Sequence, residues 1–330
     1  MKRTPTSSAA SNWPEVDRQD KEDKSTLMIK DCSVDLFNVG RHIWKNITKG
    51  HLIQYYHEIA DYILPHLRNR PQSLHIRLRG ARMPGLYIKD MEGREPDCAA
   101  LFTDKRRHKA EGKKDQINYL VCKNEATLLW MINLGCIDVN PWSSTSEHPN
   151  EPDYIIIDLD PSEKITTAKG LEKLRTVALA TKVFCDEHRL QAFVKTSGKT
   201  GIHFLLPCSH IAFPQARRFA VFICEQINKM VPEISTINNT IAHRGERVYL
   251  DPSQNDYADT IAAPYSVRPF DLPLVSTPLS WNEINKKLDP RVFKMPDVLK
   301  RLKKTGDLFA GLYNKKIRIS NNRILKSLQL

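Results

Sequence analysis

Two acidic residues one position apart close an apolar run in Tyr154-Ile-Ile-Ile-Asp-Leu-Asp-Pro161. In a strand, positions i and i+2 share a face, so Asp158 and Asp160 converge while Leu159 points away. Two carboxylates that close repel unless positive charge lies between them, and a divalent cation held by hard oxygen ligands supplies it. The plainer alternative is a strand end with two solvated acids, so the pair needs company before it reads as a site.

Two further segments provide it. Lys195-Thr-Ser-Gly-Lys-Thr-Gly-Ile-His203 is a loop between two strand-like runs. Gly198 and Gly201 permit backbone angles that turn successive N–H groups inward, and Ser197, Lys199, Thr200 and His203 add side-chain donors, a nest suited to phosphate oxygens. It is not a Walker A loop, which would need glycine where Phe193 stands and a helix where a strand follows. Val248-Tyr-Leu-Asp-Pro-Ser-Gln-Asn255 again sets an acid, Asp251, at the end of an apolar strand. Alone, Asp251 reads as a turn residue. Three strand-end carboxylates with a phosphate-cradling loop are the parts of a two-metal nucleotidyl transfer, in which metals activate a hydroxyl and stabilise leaving pyrophosphate.

The elements that must position these residues follow from periodicity. From Tyr154 onward the texture is buried strand, long helix (Ala168 to His188), strand, strand, helix, strand. Pro214 suits the first turn of the second helix and Pro232 ends it. Upstream, apolar residues from Leu52 to Ile63 follow a helical period that Pro65 should end, and Glu125 to Leu134 predicts a helix closed by Gly135. Ser73 to Arg79 and Leu86 to Lys89 read as strands around the turn Arg82-Met-Pro-Gly85, Asp104 to Lys114 as a mobile basic loop, and Lys286 to Lys304 as helically spaced. Residues 1–26 and 314–330 read as tails, 27–150 as an N-terminal module and 151–313 as a catalytic core.

Composition bounds the partners. Fifty Lys and Arg against 38 Asp and Glu give a formal charge of +12, which favours a polyanion. No run of about 18 apolar residues and no signal-peptide core occur, so the expectation is a soluble intracellular protein with no membrane partner. Seven cysteines are scattered without a C-x-x-C pair, which indicates neither a structural zinc site nor a disulfide framework.

Taken in order, Asn46-Ile-Thr-Lys-Gly-His-Leu-Ile-Gln-Tyr-Tyr56, Leu64 to Pro71, Glu125 to Trp130, Asp153 to Pro161, Lys195 to His203, Pro264 to Arg268 and Val275 to Trp281 resemble the polymerase domain of bacterial ligase D. That family belongs to the archaeo-eukaryotic primase superfamily and serves non-homologous end joining; the resemblance runs from about residue 30 to about residue 313. It implies an α/β primase-polymerase fold, a mixed RRM-like catalytic sheet beside an N-terminal α/β module. It implies that Asp158, Asp160 and Asp251 hold two divalent cations, manganese preferred and magnesium allowed, and that Ser197, Lys199, His203 and Arg268 grip the triphosphate of an NTP or dNTP. Arg41, where the family has lysine, and Lys49 would bind the 5′-phosphate at a DNA end, with the N-terminus of the following helix adding its dipole. Tyr87 would stack on a template base. Ku and an ATP-dependent DNA ligase are the implied partners, and the nucleoid of the cytoplasm the implied location. The phosphate loop departs from the family, placing Lys199 one position from its usual seat beside the second glycine.

Three rivals remain. A haloacid dehalogenase phosphatase also ends a strand in D-x-D, but expects Thr or Val at position 162 and a later acidic pair, where Ser162 and the single Asp251 stand. A non-catalytic DNA-end tether would not need three carboxylates. A replicative primase differs in starting synthesis without a primer.

Overall fold

The computed structural model describes residues 24–105, 116–162 and 167–314. Two hairpins open it, β1 (Ser25–Ile29) with β2 (Cys32–Leu36) and β3 (His42–Trp44) with β4 (Ile47–Thr48). Ser25 and Thr26, counted with the tail in the sequence, pair with Leu36 and Asp35. Helix α1 (Lys49–Glu58) starts on a reciprocal cap: His51 N–H donates to Thr48 Oγ1, and Thr48 N–H to the His51 ring. Helix α2 (Ala60–Leu67) follows after a break at Ile59. Pro65 therefore does not end the helical run. It lies inside α2, close enough to the end that a single carbonyl, that of Asp61, loses its intrahelical donor, and Arg68 N–H to Leu64 O at 2.9 Å closes the last turn.

Strand β5 (Arg70–Pro71) precedes the hairpin of β6 (Leu74–Ile76) and β7 (Leu86–Ile88), shorter than the runs predicted there. Strands β8 (Ala100–Asp104) and β9 (Ile117–Cys122) complete a three-stranded sheet ordered β5-β9-β8. Most of the expected basic loop, residues 106–114, lies outside the described residues. Helix α3 (Glu125–Leu134) has the predicted bounds: Asn124 accepts from Thr127 N–H at 2.8 Å, and Gly135, at φ 119°, takes the left-handed C-terminal position.

The second half is built from β10 (Tyr154–Pro161), α4 (Ala168–Glu187), β11 (Phe193–Thr196), β12 (Ile202–Pro207), α5 (Phe213–Met230), β13 (Ser235–Thr236), α6 (Ile241–Arg244), β14 (Val248–Asp251), β15 (Pro278–Leu279) and α7 (Met295–Thr305). Its six-stranded sheet runs β13-β14-β10-β12-β11-β15, antiparallel except for the parallel pair β13–β14, and is the mixed sheet expected. Period-two alternation in β10 sends Ile155, Ile157 and Leu159 into a core with Leu174 and Val177 of α4 and Phe219 and Ile223 of α5. Asp158 and Asp160 consequently face the other side, away from both helices. The helical spacing read over 286–304 is realised only from Met295, because Asp289 caps a short turn at Pro290–Val292 instead.

The chain crosses back after β14. Tyr265, Val267, Val275, Val298 and Leu302 pack among Ile53, Tyr56, Leu128 and Ile132 of the N-terminal module, so residues distant in sequence share one core. That return carries Arg268 to the open face of the sheet.

One cysteine expectation is corrected. Cys32 and Cys98 form a disulfide across 66 residues, with Cα atoms 6.0 Å apart, while Cys122, Cys136, Cys185, Cys208 and Cys224 are buried free thiols. Spacing could not reveal the bridge, because it is made by packing the β1–β2 hairpin beside the segment leading into β8.

Candidate active site

Strand register assembles the site. Asp251 on β14 stands opposite Asp158 on β10, Asp158 opposite His203 on β12, and His203 opposite Lys195 on β11. Directly paired residues share a face, so these four side chains form one row across the sheet, with Asp160 one step further along β10. His203 Nε2 lies 3.4 Å from Asp158 Oδ1. Lys195, fully buried, reaches His203 Nδ1 at 2.7 Å. Asp251 Oδ1 accepts from Ser253 N–H at 2.8 Å, and Asp160 Oδ2 faces Arg244 at 3.4 Å, whose guanidinium lies 3.7 Å above the Tyr249 ring.

The electrostatics record the crowding. Burial, with the Asp160 and Asp251 carboxylates beside it, pushes Asp158 up to about 8 against the pull of Lys195 and Arg268. Burial also raises Asp160, partly offset by Arg244 and Lys199. His203 is driven well below the usual histidine range by burial and by Lys195 and Arg268, so its imidazole is neutral. Carboxylate oxygens meeting on one face match the donor preference of magnesium or manganese. As the side chains stand, each acid leans on its own neighbour, and among the described residues no three His, Cys, Asp or Glu groups converge on one point.

The loop from Ser197 to Gly201 differs in one respect from the expected nest. The N–H groups of Lys199 and Gly201 donate inward to Ser197 Oγ at 3.2 and 3.0 Å, so they hold the loop closed. Having accepted two bonds, the Ser197 hydroxyl keeps its own hydrogen to donate. Gly198, at φ 76°, admits the Arg268 chain, whose Cγ would lie 2.4 Å from a Cβ there. The Arg268 Nε is buried with no hydrogen-bond partner, and Lys199 and Arg268 flank the Phe270 ring at 5.1 and 5.5 Å. A Cβ at Gly201 would stand 2.5 Å from Leu159 O, in the strand that bears both acids. Gly201→Ala is therefore expected to cost about 1–3 kcal/mol in a urea melt and to depress catalysis with it. An unchanged melt would show that the loop can move aside.

The residues assigned to DNA lie apart from this row. Tyr87 is 63% exposed and stacks on His75, centroids 4.2 Å apart and planes within 5°. His75 Nδ1 is 3.4 Å from buried Asp138, which burial pushes up but His75 and Arg268 hold below the carboxylate norm. Lys49 is buried, its ammonium donating to the Asn133 backbone and side-chain oxygens at 3.0 and 2.9 Å and lying 4.0 Å over the Phe37 ring. Burial and the neighbouring Arg41 bring it down to about 7. The helix N-terminus does not offer the free donors expected: Lys49 N–H goes to Arg41 O, Gly50 N–H to Val39 O and His51 N–H to Thr48 Oγ1. The loop folds back over that end and takes them.

The family model for the LigD primase-polymerase domain matches residues 48–309. The chain belongs to that family. It is 31% identical over 269 residues to the bifunctional non-homologous end joining protein LigD of Bacillus subtilis, covering 81% of this chain and 41% of that protein. To the multifunctional LigD of Mycolicibacterium smegmatis it is 28% identical, covering 80% and 34%. The chain thus spans less than half the length of these relatives. In fold it is similar to a structure of the polymerase domain of Mycobacterium tuberculosis ligase D in complex with DNA, with TM-score 0.77, 23% identity, and coverage of 86% of this chain and 98% of that one. Family and fold agree with the expected mixed α/β architecture. Sequence reading passed over Arg244, Asp138 and His75, and gave Lys195 no role. Arg244, Asp138 and His75 carry no local signal, since each reaches the site through tertiary packing, whereas Lys195 opens the loop motif and meets His203 within one hairpin.

Proposed function

We propose that this chain is a template-directed nucleotidyltransferase that fills gaps and extends ends during double-strand-break repair by non-homologous end joining. The observation that carries the reading is the carboxylate row Asp158, Asp160 and Asp251 set beside Arg268, whose buried Nε lacks a partner. Acids and an unsatisfied guanidinium side by side suit a triphosphate arriving with its metals better than a surface that only binds phosphate.

In this reading Asp158, Asp160 and Asp251 hold two divalent ions, manganese or magnesium. Bound there, the metals would activate the primer hydroxyl and offset charge on the leaving pyrophosphate. Arg244 must release Asp160 for the full set to ligate. Ser197 donates its hydroxyl hydrogen, Lys199 and Arg268 supply charge to the triphosphate, and neutral His203 donates without adding charge. Tyr87, braced by His75, offers its ring to a template base. Ku and an ATP-dependent DNA ligase are proposed as partners at the break, in the nucleoid. Among the described residues no helix is long and apolar enough to cross a membrane. Primer extension on a 5′-phosphorylated gapped duplex, with each metal and with ribo- and deoxyribonucleotides, tests the reading. Synthesis without any primer would favour a replicative primase, and DNA binding without extension a tether.

End recognition falls to Arg41, with Lys49 behind it. Bringing a phosphate dianion to a lysine depressed to about 7 draws a proton onto the lysine. Affinity for the phosphorylated gap, relative to the unphosphorylated one, is therefore expected to fall as pH rises above about 7.5, approaching tenfold per pH unit, since the phosphate is already doubly ionised there. Lys49→Ala should erase both the preference and its pH dependence. Equal binding of the two gaps at every pH would remove the pocket.

A further inference from the structure

Lys195 is among the largest fully buried side chains of the protein, and burying an amine costs several kcal/mol unless its hydrogens find acceptors. Two neighbours account for them. Ser276 Oγ donates its hydrogen to Thr196 O at 2.9 Å, so toward Lys195 Nζ, 2.7 Å away, it can only accept. The second contact is His203 Nδ1, also at 2.7 Å. On the other edge of the imidazole, Nε2 faces Asp158 Oδ1 at 3.4 Å. A donor at Nδ1 calls for the tautomer with the ring hydrogen on Nε2, on the edge that faces Asp158.

We infer that Lys195 is a positioning residue, which donates to His203 Nδ1 and thereby fixes the imidazole with Nε2–H turned toward the carboxylate row and the incoming nucleotide. The contact is prepared by register, because Lys195 and His203 are directly paired across β11 and β12 and both side chains lie on the face of the acids. Burial and the neighbouring Arg268 push the Lys195 amine well below the usual lysine range; it stays behind the ring, and what meets a phosphate oxygen is a neutral, directional N–H. Without Lys195 no donor at Nδ1 holds the ring against the other tautomer, which would present a lone pair to a phosphate oxygen and repel it. The nucleotide clause rests on the proposed polymerase function; the tautomer clause does not.

The test uses the whole chain with 15N-labelled histidine. Long-range 1H–15N correlation spectra report which ring nitrogen carries hydrogen, and loss of a signal in His203→Gln identifies His203. The unmodified protein is expected to show hydrogen on Nε2. Lys195→Met, of similar length but with no N–H, is expected to give a mixture of tautomers and to raise the KM for nucleotide about tenfold, the loss of one charge-assisted hydrogen bond, with a smaller change in kcat. Lys195→Arg, which keeps a donor, should hold the tautomer and recover most of the KM. Hydrogen on Nδ1 in the unmodified protein would overturn the assignment, and that spectrum decides even if Lys195→Met does not fold. An unchanged tautomer in a folded Lys195→Met would overturn it equally. A changed tautomer with an unchanged KM would refute the role toward nucleotide. Hydrogen on Nε2 in a protein that adds no nucleotide would uphold the tautomer and sink the polymerase reading instead.

Discussion

Asp158→Ala and Asp160→Ala are each expected to lower nucleotide addition by about 10³-fold or more while leaving DNA affinity within a few fold. The two acids project from one face of β10, and Asp251 approaches Asp158 across the ladder. Acids in that position repel the phosphates of nucleic acid, so in the proposed reading they would add nothing to DNA binding and act through the metals they hold. Stability supplies an independent sign. With its folded value raised to about 8, the Asp158 carboxyl is protonated in the native metal-free protein over a range where it is ionised in the unfolded chain. The folded state then binds the extra proton, so stability falls as pH rises from about 4 through about 8. Asp158→Asn removes that liability and should melt at or above the temperature of the unmodified metal-free protein at pH 8, though it is inactive. Divalent metal should raise the melting temperature of the unmodified protein and not that of the variant. Near-normal extension by either alanine variant in manganese, or equal stabilisation by metal, would overturn the assignment of these acids.

Arg268→Ala is expected to raise the KM for nucleotide roughly ten- to a hundredfold, as loss of a charge-assisted contact to a phosphate would, with little change in DNA affinity. The guanidinium is the shared neighbour of Asp138, Asp158, Lys195 and His203, and its Nε has no partner of its own. In the proposed reading this cation would meet the several negative charges of a triphosphate. Arg268→Lys should recover only part of the loss, because an ammonium retains charge without the planar fork. Titration of nucleotide at saturating gapped duplex separates these outcomes, and unchanged nucleotide dependence in Arg268→Ala would take Arg268 out of the site.

The strand carrying Asp158 and Asp160, the glycine loop and the strand ending at Asp251 could be read from sequence because each is a local pattern: β-branched alternation, turn residues, and an acid where the apolar run stops. Alternation alone placed Asp158 and Asp160 on one face, and the cap of α3 at Asn124 and Gly135 is equally local. Register was not local. Outside the β11–β12 hairpin, that Asp251 pairs with Asp158 and His203 with Asp158 depends on which strands are neighbours and on where each pairing begins, and a slip of one residue would have turned these side chains to the other face. The same limit applies to Lys49, whose spacing suggested an exposed phosphate ligand but whose ammonium is folded against Asn133, 84 residues away. It applies also to the disulfide between Cys32 and Cys98, and to Arg244, which reaches Asp160 across 84 positions. Local pattern was enough to name the acids and the strands that bear them, since those choices rest on contacts within a few residues. Their neighbours came from the closed fold, because burial, charge pairing and strand register are properties of segments that meet after the chain has closed its long loops.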